Sequence, residues 1–173
     1  WGANGYGQLG DGTTTGRLTP VTVSGLSGVT AIAASGGDCA ASSFALLSDG
    51  AVKSWGDNSC GQLGDGTRAT RSAGPVYVIA GSTAGNSLSD ISKIASGASH
   101  SLALKSDGSR VYAWGSNLYG QLGDGDYSDA TTPVEVVNTD GTGFLTGVVD
   151  IAAGDYHSLA LLSNGTESTA DDT

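Results

Sequence analysis

Apolar and polar positions alternate along this chain in short runs and never in long ones. "PVTV" from Pro20, "PVYV" from Pro75 and "PVEV" from Pro133 alternate at period two, as do "SFALLSDG", "HSLALKSDG" and "HSLALLSNG". Alternation over four to six residues predicts strands with one buried face. Ahead of each second group stands a short apolar stretch ending in small residues: "VTAIAASG", "ISKIASG" and "VVDIAAG". Asp49-Gly50, Asp107-Gly108 and Asn164-Gly165 then predict tight hairpins, because such turns need positive φ. "AVKSWG" and "RVYAWG" supply one further strand each. The pattern predicts about four short antiparallel strands per unit and no helix.

The units repeat. W-G-x-N-x-x-G-Q-L-G-D-G begins at Trp1, Trp55 and Trp114, dividing the chain into units 1–54, 55–113 and 114–173, the last of them incomplete. Four-stranded units repeated at this length predict blades of a β-propeller. The expected fold is therefore all-β: residues 1–173 as one propeller segment, an incomplete arc of about three four-stranded antiparallel blades. A β-helix fits less well, since its rungs are far shorter.

Composition narrows the function classes. Twenty-nine glycines argue against a helical protein, since glycine weakens a helix interior by about 1 kcal/mol relative to alanine. No apolar run approaches the roughly 20 residues of a membrane-spanning helix, so no membrane insertion is expected. A net charge of −10, with seven lysines and arginines, speaks against nucleic acid as a partner, because that binding rests on basic residues neutralising phosphate. The chain holds no methionine. It is therefore expected to be a processed product, an excised piece or part of something longer.

The repeated phrase, the S-D/N-G hairpins and the G-x-x-H-S-L-A-L runs at Gly97 and Gly154 resemble the regulator of chromosome condensation repeat family, over nearly the whole chain. The resemblance implies a seven-bladed propeller, of which three units sweep less than half. Three functional classes are then open. One is a binding scaffold whose variable loops grip another protein, as in secreted bacterial inhibitors of beta-lactamase. A second is guanine-nucleotide exchange on a small GTPase, which would need a whole propeller. The third is a structural subunit that assembles head to tail. The plant ultraviolet-B photoreceptors share the repeat, but three tryptophans at one site per repeat do not make their clustered sensor.

Repetition gives each recurring residue a structural expectation. Trp1, Trp55 and Trp114 are expected to pack between neighbouring blades. Gln8, Gln62 and Gln121 are expected to satisfy buried backbone groups in the tight loop, since buried polar atoms need partners. His100 and His157 occupy equivalent places in successive blades and are expected to be structural hydrogen-bonders rather than a shared metal site. Ser42 takes that place in the first unit.

Function tends to sit where a repeat breaks its own pattern. The first unit carries an insertion within "SGGDCAAS" that brings Asp38 and Cys39. Cys60 stands where Tyr6 and Tyr119 stand in the other units. These two departures predict a Cys39–Cys60 disulfide, closing a loop of about 20 residues and worth ~3 kcal/mol on the chain-entropy model; the alternative is two free thiols in a cytosolic protein. A disulfide would imply an oxidising compartment, and so an extracellular or cell-surface location rather than a cytoplasmic one. Variable loops carry Asn86, Asp126, Tyr127, Asp129 and Phe144, which with Asp38 are the candidate interaction residues. Asp124, Asp126 and Asp129 are not in the order of an EF-hand loop, so no metal is expected. Asn164-Gly165-Thr166 formally matches a glycosylation sequon.

No G-x-S-x-G elbow, Walker loop, H-E-x-x-H or paired C-x-x-C appears. The glycine-rich phrase precedes a strand, so it lacks the helix N-terminus that cradles phosphate. The expectation is a non-enzymatic protein without catalytic residues or cofactors, its partner either another protein or further copies of itself. The pattern also breaks at both ends. Unit one starts at its Trp-Gly, and after Asn164-Gly165 the chain reads "TESTADDT" where a V-x-x-W-G strand is due. Either this is a fragment of a longer propeller or copies complete one another head to tail, closing a ring or propagating as a filament.

Overall fold

A computed structural model describes residues 1–36, 41–81 and 86–163, the side chain of Ser72 excepted. Ten strands are described: β1 (Val29–Ala34), β2 (Ser42–Leu47), β3 (Val52–Gly56), β4 (Arg71–Tyr77), β5 (Ile91–Ser96), β6 (His100–Lys105), β7 (Val111–Gly115), β8 (Ala130–Glu135), β9 (Val148–Ala153) and β10 (Ser158–Leu162). They form two four-stranded antiparallel sheets, β1-β2-β3-β4 and β5-β6-β7-β8, and one two-stranded sheet of β9 and β10. No helix occurs among the described residues. The protein is an all-β propeller arc.

Each sheet is a meander because its turns leave no other choice. Asp49 Oδ1 accepts the Ala51 amide at 3.0 Å and Gly50 takes φ +79°, which closes the β2–β3 hairpin. Asp107 does the same for β6–β7 through the Ser109 amide at 2.9 Å. Pro75 and Pro133 sit in β4 and β8, the outer edge strands, where a missing N–H costs the ladder least. "PVTV" at Pro20 forms no strand. β4 and β8 pair with five-residue strands, whereas residues 17–23, among the described residues, are joined to Trp1 and Gly2 through the Gly2–Arg17 bridge.

Repeat units and blades are out of phase. Each repeat opens at the Trp-Gly that ends a blade's third strand, so every complete blade takes its first two strands and the start of its third from one unit, and the end of the third and the fourth from the next. Residues 1–24 thus carry the end of one blade, and β9–β10 the beginning of another.

Two apolar clusters hold the arc together, both between blades. In the first, Phe44, Leu46, Val52 and Val78 pack against Ile91, Ala103 and Trp114. Phe44 and Trp114 meet edge to face, 6.4 Å between ring centroids, the arrangement favoured by aromatic quadrupoles. In the second, Leu102, Leu104 and Val111 pack against Val148 and Ile151 of the two-stranded sheet. Burial of such side chains is worth about 1.5–3 kcal/mol each.

Candidate interaction site

The loops between third and fourth strands are built around an asparagine. Asn4, Asn58 and Asn117 are each buried. Asn58 Oδ1 accepts the Leu63 amide at 3.0 Å, while its Nδ2 donates to Asp65 Oδ1 at 3.1 Å and to the carbonyls of Thr67 and Ala69 at 3.0 and 3.3 Å. Asn4 and Asn117 repeat the pattern, accepting the amides of Leu9 and Leu122 at 2.9 Å. Only a side chain with both an acceptor and two donors can do this. The glutamine side chains brace the same loop: Gln8, Gln62 and Gln121 accept the amides of Tyr6, Cys60 and Tyr119, two residues earlier, at 3.0, 2.9 and 2.9 Å. Gln62 Nε2 also donates to Asp57 Oδ2 at 2.9 Å.

The glutamine backbone does something else. Trp55 Nε1 donates to the Gln8 carbonyl at 2.9 Å, and Trp114 Nε1 to the Gln62 carbonyl at 2.7 Å. Each indole thereby ties its blade to the loop of the blade before. Serines of the second strands share these acceptors: Ser43 Oγ donates to Gln8 O at 2.8 Å and Ser101 Oγ to Gln62 O at 3.3 Å. Gly64, at φ +69°, lies under the second indole so closely that a methyl group there would come within 2.8 Å of Trp114 Nε1.

Trp1 departs from the expectation. Trp55 and Trp114 are 5% and 0% exposed, whereas Trp1 is 73% exposed rather than packed between blades. The loop that receives an indole lies in the preceding repeat, and among the described residues no repeat precedes Trp1. At the other end the Gln121 carbonyl accepts Ser158 Oγ at 2.7 Å, with no indole beside it.

His100 is fully buried and reaches across a blade boundary, its Nε2 lying 3.0 Å from Ser158 Oγ. Because Ser158 spends its one hydroxyl hydrogen on Gln121 O, His100 Nε2 is the donor and Nδ1 the bare acceptor, without a partner among the described residues. Burial first, and the neighbouring His157 second, push the His100 pKa down to about 4, so the ring is neutral near pH 7. His157 is exposed. Gly97 and Gly154, three residues ahead of each histidine, leave room for the imidazole where a Cβ would collide with it. Ser42, paired with Gly56 as His100 is with Gly115, is bonded instead to Ser35.

Two loops carry buttressed carboxylates. The Thr13 hydroxyl, 2.7 Å from Asp11 Oδ1, and Arg17, 2.8 Å from Oδ2, hold the Asp11 carboxyl far below the usual range despite partial burial. Burial pushes Asp65 up, but the Thr67 hydroxyl and Arg71 outweigh it and hold its pKa below the ordinary value. In the third loop Ala130 replaces the arginine. There Asp129 takes over, accepting the Asn117 amide at 2.8 Å and pairing with Arg68 of the previous loop at 3.1 Å.

The candidate interaction residues do not form one site. Asp126, Tyr127 and Asp129 lie in the β7–β8 connection, at one end of the strands. Asn86 and Phe144 lie in the blade-to-blade crossovers, at the opposite end. Asn86 uses its carbonyl to accept the Ala80 amide, and Phe144 stacks under the Arg110 guanidinium, 4.6 Å from the ring centroid. Asp38 and Cys39, and with them the Cys39–Cys60 pairing, lie outside the described residues, as does the Asn164 sequon; Cys60 itself is half-buried in its loop.

At the strand end that carries Tyr127, the structure gathers a surface that pattern reading missed. Leu118, Tyr119, Tyr127 and Tyr156 are 72%, 69%, 74% and 58% exposed. Tyr119 and Tyr156 touch edge to face at 5.4 Å, bridging the β7–β8 loop and the β9–β10 turn. Beside them opens a cleft of about 370 Å³, lined by Gln121, Gly123, Val136, Leu145, Ser158 and Leu159 among others. A signal was available: Tyr119 and Tyr156 occupy loop positions that no core packing demands.

Tryptophan-anchored four-stranded blades joined through a shared loop carbonyl define a repeat propeller. The chain belongs to the Regulator of chromosome condensation (RCC1) repeat family, which it matches over residues 1–41, 49–104 and 109–161. It is 32% identical to the human E3 ubiquitin-protein ligase HERC2 over 93% of its own length and 3% of that protein. To the Arabidopsis thaliana ultraviolet-B receptor UVR8 it is 34% identical, over 93% of this chain and 34% of the receptor. Among solved structures, human WBSCR16 superposes with a TM-score of 0.71 at 30% identity, covering 94% of this chain and 39% of that one. Prp20p of Saccharomyces cerevisiae, a protein described with its binding to Gsp1p and histones, does so at 0.66 and 27%, covering 95% and 39%. The chain therefore spans well under half the length of each of these proteins.

Proposed function

We propose that the chain is a non-enzymatic protein-interaction scaffold whose partner meets the tyrosine-rich end of the strands. The observation that carries this reading is the contiguous exposure of Leu118, Tyr119, Tyr127 and Tyr156 beside a cleft. Exposed tyrosines at such density have the composition of binding surfaces, which are enriched in aromatic anchors. The loops beneath them are fixed by the Asn4, Asn58 and Asn117 networks, so little conformational entropy would be lost on binding. Yeast Prp20p, a neighbour in fold, is itself a protein binder. In this reading the partner is a protein, outside the cell or at its surface, and thiol counting at Cys39 and Cys60 with and without reductant tests that placement.

Affinity capture from the native source, with Tyr127→Ala and Tyr156→Ala beside Phe144→Ala, tests the surface. Both tyrosine variants are expected to lose the captured protein and Phe144→Ala to retain it; the reverse pattern would move the site to the other end. Accelerated nucleotide release from a small GTPase would favour exchange activity instead.

A further inference from the structure

We infer that the third loop is an arginine seat built without its arginine, and that the protein partner proposed above supplies the guanidinium. The inference rests on the scaffold reading and narrows the partner to one that presents an arginine to Asp124, beside Tyr127.

The chain displays the same seat, filled, in its other two loops. In the first, Asp11 Oδ1 accepts Asn4 Nδ2 at 3.2 Å and the Thr13 hydroxyl at 2.7 Å, while Oδ2 takes Arg17 Nε and Nη2, both at 2.8 Å. In the second, Asp65 Oδ1 accepts Asn58 Nδ2 at 3.1 Å and the Thr67 hydroxyl at 2.7 Å. Its Oδ2 takes Arg71 Nε and Nη2 at 2.8 and 2.7 Å. Each guanidinium brings two N–H groups in a fixed fork to the carboxylate, a geometry that an ammonium does not reproduce.

The third loop keeps the frame and changes the occupants. Its Asn117 accepts the Leu122 amide and donates to Asp124 Oδ1 at 3.1 Å, as the other two asparagines do. Ala130 stands opposite Gly115 as Arg71 stands opposite Gly56 and Arg17 opposite Gly2, so residue 130 holds the arginine's place in the register. Asp126 stands where the threonine was. Asp124 Oδ2 consequently accepts no hydrogen bond among the described residues. Asp129 braces the Asn117 amide but, as an acceptor, does not serve Asp124. Because the first two loops fill the seat from within themselves, the difference lies in residue 130 and not in what precedes or follows the chain.

No cation of the chain remains to serve. Of its seven lysines and arginines, five are ion-paired, among them Arg68 with Asp129 of this same loop. Lys53 and Lys105 stand beside the Asp-Gly hairpins, at the opposite end of the strands. Tyr127, next to Asp126 in sequence and 74% exposed, adds a ring face of the kind that attracts a guanidinium. A carboxylate held in place beside an exposed aromatic ring complements an arginine anchor.

Nitrogen-15 NMR of the full chain, titrated with N-acetyl-arginine amide, tests the seat without the partner. The expected result is saturable shifts of the Asn117 side-chain amide and the Asp126 backbone amide, whose N–H groups both meet Asp124. N-acetyl-lysine amide is expected to bind more weakly, and N-acetyl-citrulline amide, similar in shape but uncharged, to shift neither group. Ala130→Arg closes the seat from within its own loop: the shifts should vanish and the melting temperature rise by about 2–4 °C. With the captured partner, the same variant is expected to weaken binding by at least about 10-fold. Missing shifts at millimolar probe, equal shifts with the citrulline compound, or an unchanged or lowered melting temperature in Ala130→Arg overturns the proposal. Capture lost by Tyr127→Ala yet kept by Ala130→Arg overturns the seat and leaves the scaffold reading standing. Capture kept by both tyrosine variants and lost by Ala130→Arg supports the seat and overturns the tyrosine anchors.

Discussion

Trp114 and Gln62 are joined across a blade boundary by an indole N–H that meets a main-chain carbonyl at 2.7 Å in a fully buried site. The bond belongs to neither blade alone, so the seam has a direction and a register as well as an area. Trp114→Phe keeps most of the ring but leaves the carbonyl with the Ser101 hydroxyl only, and is expected to cost about 1–2 kcal/mol. Trp114→Ala, which also opens a cavity, is expected to cost about 3–5 kcal/mol. Trp1→Ala, measured on dilute protein, should stay within about 0.5 kcal/mol of wild type. Urea titration of the three variants checks the order.

Asn58 is expected to matter more than its size suggests. Asn58→Ala strands the buried Leu63 amide and removes the Nδ2 donor from Asp65 and from two loop carbonyls. Unsatisfied buried groups cost about 1–3 kcal/mol, so a loss of ~3 kcal/mol in chemical denaturation is expected. Asn58→Asp keeps the acceptor for Leu63 but sets a second carboxylate against Asp65, and is expected to do no better than alanine at pH 7.

Glycines of one conformation should differ by what lies over them. Gly64→Ala forces both a positive φ and a collision with the Trp114 indole; Gly125→Ala, at φ +95°, meets nothing within 4 Å. Backbone strain alone costs of order 1–3 kcal/mol. Thermal melting is expected to place Gly64→Ala well below Gly125→Ala.

Stability should depend on pH through His100. Above pH 6.5 the imidazole is neutral in the folded and the unfolded chain alike. Between pH 6.5 and about 4 the unfolded chain takes up a proton that the buried ring refuses. Stability therefore falls with falling pH across that window, by about 1.4 kcal/mol per unit at most, and this contribution levels off below about 4. The depressed carboxylates Asp11 and Asp65 act lower down, losing their contribution as pH falls through the acid range. Denaturant titrations from pH 7 to 4 check the slope. His100→Ser, which installs the residue that Ser42 supplies at the equivalent place, is expected to flatten it.

Much of this architecture was legible in the residues. Period-two alternation and the Asp-Gly turns located the strands, and a phrase used three times announced the blades. Exposure was not legible, because Trp1 and Trp114 share one motif and differ, among the described residues, in whether an earlier loop receives the indole. The asparagine hubs stood in the motif as plain letters. Their role appears only when the chain folds back and brings carbonyls 9 and 11 residues away onto one amide. The phase between repeat and blade was hidden for a similar reason: sequence repetition fixes the period and leaves the cut open. Irregularity marks Phe144 and Tyr127 alike as loop residues and says nothing about which end of a strand a loop occupies, whereas the fold separates them.

Hydrogen exchange of the three indole N–H groups, resolved by nitrogen-15 NMR on dilute protein, tests most directly whether carbonyl-seated tryptophans lock the blades. Trp55 and Trp114 are expected to exchange only through opening of the seams, orders of magnitude more slowly than Trp1, which should exchange like a free peptide. Three indoles exchanging at one common rate would contradict the account.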